Sequence, residues 1–193
     1  MVQHYPLRNP FAMTGAATPG PSYLSVEEIN ELGFAKLGSN VMISRKASVY
    51  DQHLISLSDN VRIDDFCCLS GRIEIGRNTH ITPFCLVAGG EEGIRIGNFC
   101  ALAYRVSIFS QTDNYHGASM VNSTVPSEFK LETKKAVSIA DHVIIGAGSV
   151  VLPGIHLAIG TAVGATSLVT KSTEPWGVYV GIPALRRKDR STK

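Results

Sequence analysis

Six histidines supply most of the groups in this 193-residue chain that could carry a proton near neutral pH. His4 lies in a stretch rich in Pro, Gly and Ala, and His53 follows Asp51-Gln52. His142 and His156 sit beside aliphatic residues in a rhythm that turns them outward. The other two have more suggestive surroundings: His116 in Thr112-Asp113-Asn114-Tyr115-His116-Gly117, and His80 in Asn78-Thr79-His80-Ile81. A general base must reach the proton it takes and hold a pKa near the working pH. On that ground His116 and His80 are both candidates, and Asp113, or no protein base at all, is the alternative. No serine or cysteine stands in a recognisable nucleophile setting, which favours direct attack of one bound substrate on another. The Cys67-Cys68 pair is neither Cys-x-x-Cys nor a familiar zinc spacing, and no metal is expected. Cys67, Cys85 and Cys100 fall where Ser or Thr stands in related positions and read as small buried thiols.

The elements that carry these groups are set by a repeat. Ile139, Ile145, Val151, Leu157, Val163 and Val169 stand six apart without a break, with a small or β-branched residue two places before each next aliphatic: Val143, Ser149, Ile155, Thr161, Ser167. A period of six fits neither a helix nor a plain long strand and marks a solenoid. Each unit makes a short strand and a corner, and three units bring the chain round, so about eighteen residues climb one strand spacing of about 4.8 Å. The phase runs back through Ile108, Leu102 and Ile96, then from Val87 to Leu57, and from Val49 to Leu37. Slips interrupt it at Asp51–Ile55 and Ala88–Arg95, and a long break falls over 111–137. Loops of that length are usually functional or disordered, and Tyr115, Met120 and Phe129 make this one too apolar for disorder.

Ahead of the repeat, Ser25-Val26-Glu27-Glu28 is a capping box and Gly33 a stop, so a helix is expected over about 26–32, with Leu24 and Ile29 placed to staple it. The division expected is an arm and capping helix over 1–36, a coil over 37–172, and a closing strand with basic tail over 173–193.

The repeat resembles that of the hexapeptide-repeat acyltransferases. The run from Thr170-Lys171 through Pro175-Trp176 to Gly181-Ile182-Pro183-Ala184 is similar to that family's closing segment. The resemblance implies an all-β, left-handed parallel β-helix, acetyl-CoA as co-substrate, and a homotrimer with sites between subunits, each covered by a neighbour's inserted loop. In galactoside and maltose acetyltransferases the catalytic histidine follows a similar Ile-x-x-x-Thr strand. Asp113 or Asn114 holds that place here, with His116 displaced by two or three residues. His80 is placed like the histidine of members that acetylate nucleotide-linked amino sugars. By the same likeness the pantetheine arm would follow Gly146, Ala147, Ala165 and Ser167, and the 3′-phosphate would meet Lys171, Arg186 and Lys188, with Arg187 close by. Tyr115, Asp64 and Asp65, with Asn122 and Glu128, would face the acceptor. The activity implied is acetyl transfer to an amino or hydroxyl group of a sugar, with a nucleotide-linked amino sugar for surface polysaccharide favoured. A non-sugar acceptor, a zinc enzyme like the γ-type carbonic anhydrases and a non-catalytic assembly protein are the alternatives.

Composition narrows the classes further. A net charge of +2 speaks against a nucleic-acid binder. No apolar run approaches the ~18 residues of a membrane span, and no charged lead precedes an apolar block at the N-terminus. A cytoplasmic location is expected.

Overall fold

Each aliphatic of the six-residue series points into a triangular prism, and each residue two places before it does the same. In one coil Val137, Ile139, Val143, Ile145, Ser149 and Val151 are all buried, while Ser138, Ile144 and Val150 between them face outward. The computed structural model describes residues 22–192. The N-terminal arm read from the sequence, with His4, lies outside these residues except for its last two.

Three parallel sheets form the walls of a left-handed β-helix. Sheet 1 stacks Lys36–Leu37, Ile55–Leu57, Ile73–Ile75, Ile94–Ile96, Val137–Ile139 and His156–Leu157. Sheet 2 stacks Met42–Ile43, Arg62–Ile63, His80–Ile81, Ala101–Leu102, Ile144–Ile145, Ala162–Val163 and Gly177–Val180. Sheet 3 stacks Ser48–Val49, Cys68–Ser70, Leu86–Ala88, Ser107–Phe109, Val150–Val151 and Leu168–Val169. The register is in phase throughout, as in Ile73↔Ile94↔Val137. Burying an aliphatic side chain contributes roughly 1.5–3 kcal/mol, so the column of fully buried Ile and Leu is the main source of stability.

The corners need a left-handed backbone, which favours Asn and Gly. The first edge, between sheets 1 and 2, carries Asn40, Asn60, Asn78, Phe99, His142, Gly160 and Trp176, all at positive φ. The second edge, between sheets 2 and 3, carries Phe66, Phe84, Arg105, Gly148 and Thr166, also at positive φ. The third edge, between sheets 3 and 1, absorbs both slips. A 3₁₀ turn at Gln52–Leu54 takes the first, and Gly90 and Gly93, at φ +50° and +91°, take the second.

The helix α1 (Val26–Glu31) has its capping box. Glu28 N–H donates to Ser25 Oγ at 3.2 Å, and Ser25 N–H to Glu28 Oε2 at 2.7 Å. Ile29 is buried and Leu24 packs against the same core, as the staple requires. At the other end the basic tail is not free. Leu185–Asp189 pairs antiparallel with Gly177–Val180 and extends sheet 2. All five of its residues are exposed, so no hydrophobic alternation announced it.

The long insertion leaves sheet 3 after Ser110 and returns at Val137, so it stands on the third edge. Its root is a ribbon in which Gln111–Asp113 pairs antiparallel with Glu132–Lys134. The third edge lies across the prism from sheet 2.

Candidate active site

Where the chain turns out of sheet 2 the residues are small: Gly146 and Ala147 in one coil, Gly164 and Ala165 in the next. The reason is space, since a Cβ on Gly146 would lie 2.4 Å from the amide nitrogen of Ala165. Gly146 N–H donates to Val163 O, whereas the N–H groups of Tyr104, Ala147 and Ala165 have no partner among the described residues. These three stand at the same corner place of successive coils, about 4.8 Å apart. Such a column suits the carbonyls of an extended amide ligand or a developing oxyanion. Ser167 does not belong to it. Its side chain is buried, its Oγ accepts from Gly181 N–H at 3.1 Å, and its own N–H is taken by Ser149 Oγ.

Two coils toward the N-terminus, on the outer face of sheet 2, lies an ordered proton-carrying group. His80 Nε2 is 2.8 Å from Asp64 Oδ2. Asp64 Oδ1 accepts from Tyr23 Oη and from Arg62 Nε, each at 2.7 Å. Asp64 is only 6% exposed, so its carboxylate is spent inside the chain and is not open to a substrate. Burial pushes its pKa up, but the hydrogen bonds from Tyr23, His80 and Arg62 outweigh that and hold it below the usual carboxylate range. Burial and the bond to Asp64 both raise the Tyr23 phenol. Asp65, one place on, bonds Ser44 Oγ and pairs with Lys46 at 2.9 Å. The Ser44 and Lys46 bonds also keep its carboxyl low.

The insertion holds the other candidates apart from these. Tyr115 is 89% exposed, and His116 is exposed with its backbone N–H on Asn114 Oδ1. Asp113 is half-buried at the ribbon's root, where Asn122 N–H approaches it at 3.4 Å. Among the described residues no hydrogen bond or ion pair joins the insertion to a strand of sheet 2. The anchors run elsewhere: Lys134 to Glu91 at 3.2 Å, and Lys135 N–H to Ser110 O. The structure therefore does not bring His116 and His80 together within one chain.

The basic candidates also divide. Lys171 follows sheet 3 on the third edge, a full sheet-width from Ala147 and Ala165. Arg186 and Lys188 lie on the strand added to sheet 2. Arg186 is engaged within the chain, bonding Asp189 at 2.8 Å and reaching Tyr179 Oη at 3.4 Å. Lys171 and Lys188 are exposed and have no side-chain partner among the described residues.

Sequence reasoning missed Tyr23 and Arg62, because their link to Asp64 is a matter of which residues stack, not of local pattern. It also missed two columns of rings. Phe66 and Phe84 stack at 5.1 Å on the second edge, with Lys46 and Arg105 over their outer faces. On the first edge Arg77, Phe99, His142, Trp176 and Arg190 stack in order. Cys67, Cys85 and Cys100 are buried and free, and burial pushes the Cys100 thiol up to about 11. Among the described residues no three His, Cys, Asp or Glu side chains gather where a metal could bind.

A left-handed coil of hexapeptide units, a donor column on one edge and a projecting insertion on another define a transferase of the hexapeptide-repeat class. No family model matches the chain. It is 42% identical over 175 residues to the dTDP-4-amino-4,6-dideoxy-D-glucose acyltransferase of Escherichia coli, covering 89% of this chain and 91% of that one. It also superposes on AntD, an N-acyltransferase from Bacillus cereus. An aspartate-to-alanine variant of AntD in complex with dTDP and coenzyme A has a TM-score of 0.88 at 39% identity, over 89% of this chain and 92% of that one. The complex of AntD with dTDP and 3-hydroxybutyryl-CoA gives 0.87 and 40%, over 88% and 90%. The chain belongs to the hexapeptide-repeat acyltransferase family, in its sugar acyltransferase branch.

Proposed function

We propose that the protein transfers an acetyl group from acetyl-CoA to the amino group of a dTDP-linked 4-amino-4,6-dideoxy sugar, a precursor of surface polysaccharide. The observation that carries this is the near full-length likeness to the Escherichia coli enzyme of that name. The AntD complexes with dTDP and coenzyme A agree with it. Both substrates carry phosphates that keep them on the side of the membrane where they are made, so the reaction is placed in the cytoplasm. No helix among the described residues is long and apolar enough to cross a membrane.

In this reading the pantetheine arm runs along the second edge, with its carbonyls on the N–H groups of Ala147 and Ala165. The Tyr104 N–H, one coil on, is the donor available to the oxyanion. Lys188 and Arg186 meet the 3′-phosphate at the end of sheet 2, and Lys171 serves the copy next to it. His80 is the base, because it is the candidate whose ring is fixed by a carboxylate. The amine nitrogen bonds to the thioester carbonyl carbon, and the C–S bond breaks. One amine proton passes to His80 and from there to the departing sulfur, giving an amide and free coenzyme A.

The assembly proposed is a homotrimer in which the insertion of one copy covers the second edge of the next, bringing Tyr115, His116 and Asp113 to the acceptor. Two features support it: the insertion stands across the prism from its own sheet 2, and its Tyr115, Met120, Phe129 and Leu131 are exposed. The same arrangement supports a second reading, in which Asp113 from the neighbour is the base. Calorimetric titration is the first test. Acetyl-CoA and dTDP should each bind at one site per chain with micromolar affinity, and failure of both to bind folded protein overturns the proposal.

A further inference from the structure

Asp64 accepts three hydrogen bonds from three separate segments: Tyr23 from the segment before α1, Arg62 from its own coil, and His80 from the coil that follows. Tyr23 reaches this place because it bridges antiparallel to Ser44, alongside the first coil. Its ring lies under the Arg62 guanidinium, 5.6 Å from ring centre to carbon. Both Oδ1 contacts come from donors that stay protonated at neutral pH, so Asp64 is held ionised and its Oδ2 is left for His80. An ionised carboxylate on Nε2 selects the imidazole tautomer with its proton on Nε2 and its lone pair on Nδ1. Arg62 is the register neighbour of His80 in the preceding coil and Ala101 in the next, and among the described residues the ring's one hydrogen bond is to Asp64.

We infer that Tyr23 and Arg62 are positioning residues that act through Asp64 to fix the tautomer and orientation of His80, so that Nδ1 is its proton-accepting atom. The segment before α1 is thereby part of the site and not merely a cover for the end of the coil. The inference rests on the proposed role of His80 only for its catalytic consequence. The hydrogen-bond geometry stands without it.

The test is long-range ¹H–¹⁵N NMR of the imidazole in the full-length protein, with kinetics on the same samples. Wild type should show the Nε2–H tautomer for His80. Asp64→Asn should lose that preference and lower kcat on the order of 10²-fold, with KM for both substrates within about twofold. Tyr23→Phe keeps the ring under Arg62 and removes only the hydroxyl. It should mix the tautomers in part and lower kcat by about threefold to tenfold. Arg62→Gln should act in the same direction, and Tyr23→Phe guards against a folding defect in the other two. A His80 tautomer unchanged in Asp64→Asn and Tyr23→Phe overturns the inference. Tautomers that respond while kcat does not would confirm the positioning and remove His80 from the role of base.

Discussion

The imidazole of His142 lies flat on the ring of Phe99, with centroids 5.2 Å apart and planes 4° from parallel. The two residues sit in adjacent coils, yet the insertion separates them in sequence. The stack shows that the coil closes across the insertion as if it were absent, and Ile94–Ile96 pairs directly with Val137–Ile139.

The insertion should therefore be dispensable for folding. Replacing residues 114–131 by a short Gly-containing turn should leave the circular dichroism spectrum unchanged and Tm within a few degrees. Acyl transfer should be abolished, because the acceptor loses its cover. A variant that fails to fold would contradict the independence of coil and insertion.

A site shared between copies can be tested by complementation. The insertion-deleted chain and a His80→Ala chain should each be inactive alone. Mixed, dissociated and reassembled, they should recover a fraction of wild-type turnover, since some interfaces then hold an intact edge from one chain and an intact insertion from the other. Mixtures without activity, shown by native mass spectrometry to hold both chains, would place the site within one chain.

Asp64 should also leave a mark on stability. Its folded pKa is depressed, so its contribution is present above the unfolded carboxylate range near pH 4 and is lost as pH falls through the lower folded value. Urea unfolding of Asp64→Asn against wild type should show the largest loss at pH 6–7. The difference should shrink below about pH 4.

Gly160 carries a double demand. Its φ is +69°, and a Cβ there would lie 2.3 Å from Trp176 Cε3. Gly160→Ala should cost about 1–3 kcal/mol, read as a lowered Tm. The Arg190 contacts to His142 O and Gly160 O should loosen with it.

Lys188→Ala should raise KM for acetyl-CoA by roughly tenfold with kcat held, the loss expected for one charge-assisted contact. KM for dephospho-CoA thioester should not move. Equal effects on both donors would take Lys188 away from the 3′-phosphate.

The coil was open to reading because its core residues recur at a fixed step, and the helix because Ser25 and Glu28 form a local reciprocal cap. The hand of the coil came only through family likeness, since spacing carries no chirality. Which residues share an edge was harder to see. Lys171 and Ala165 are close in sequence yet lie on different edges, and Tyr23 meets Asp64 of the second coil only because it bridges to Ser44 in the first. Ser167 looked like a cofactor contact because it is small, but smallness there serves the inside of the corner. Leu185–Asp189 gave no strand signal because both its faces meet solvent.

The most direct measurement is thiol release from acetyl-CoA with dTDP-4-amino-4,6-dideoxyglucose as acceptor, set beside the same dTDP sugar bearing a hydroxyl at C4. Stoichiometric free thiol and an amide product with the amine, and neither with the hydroxyl sugar, is the predicted result. Thiol release with the hydroxyl sugar and none with the amine would contradict the account.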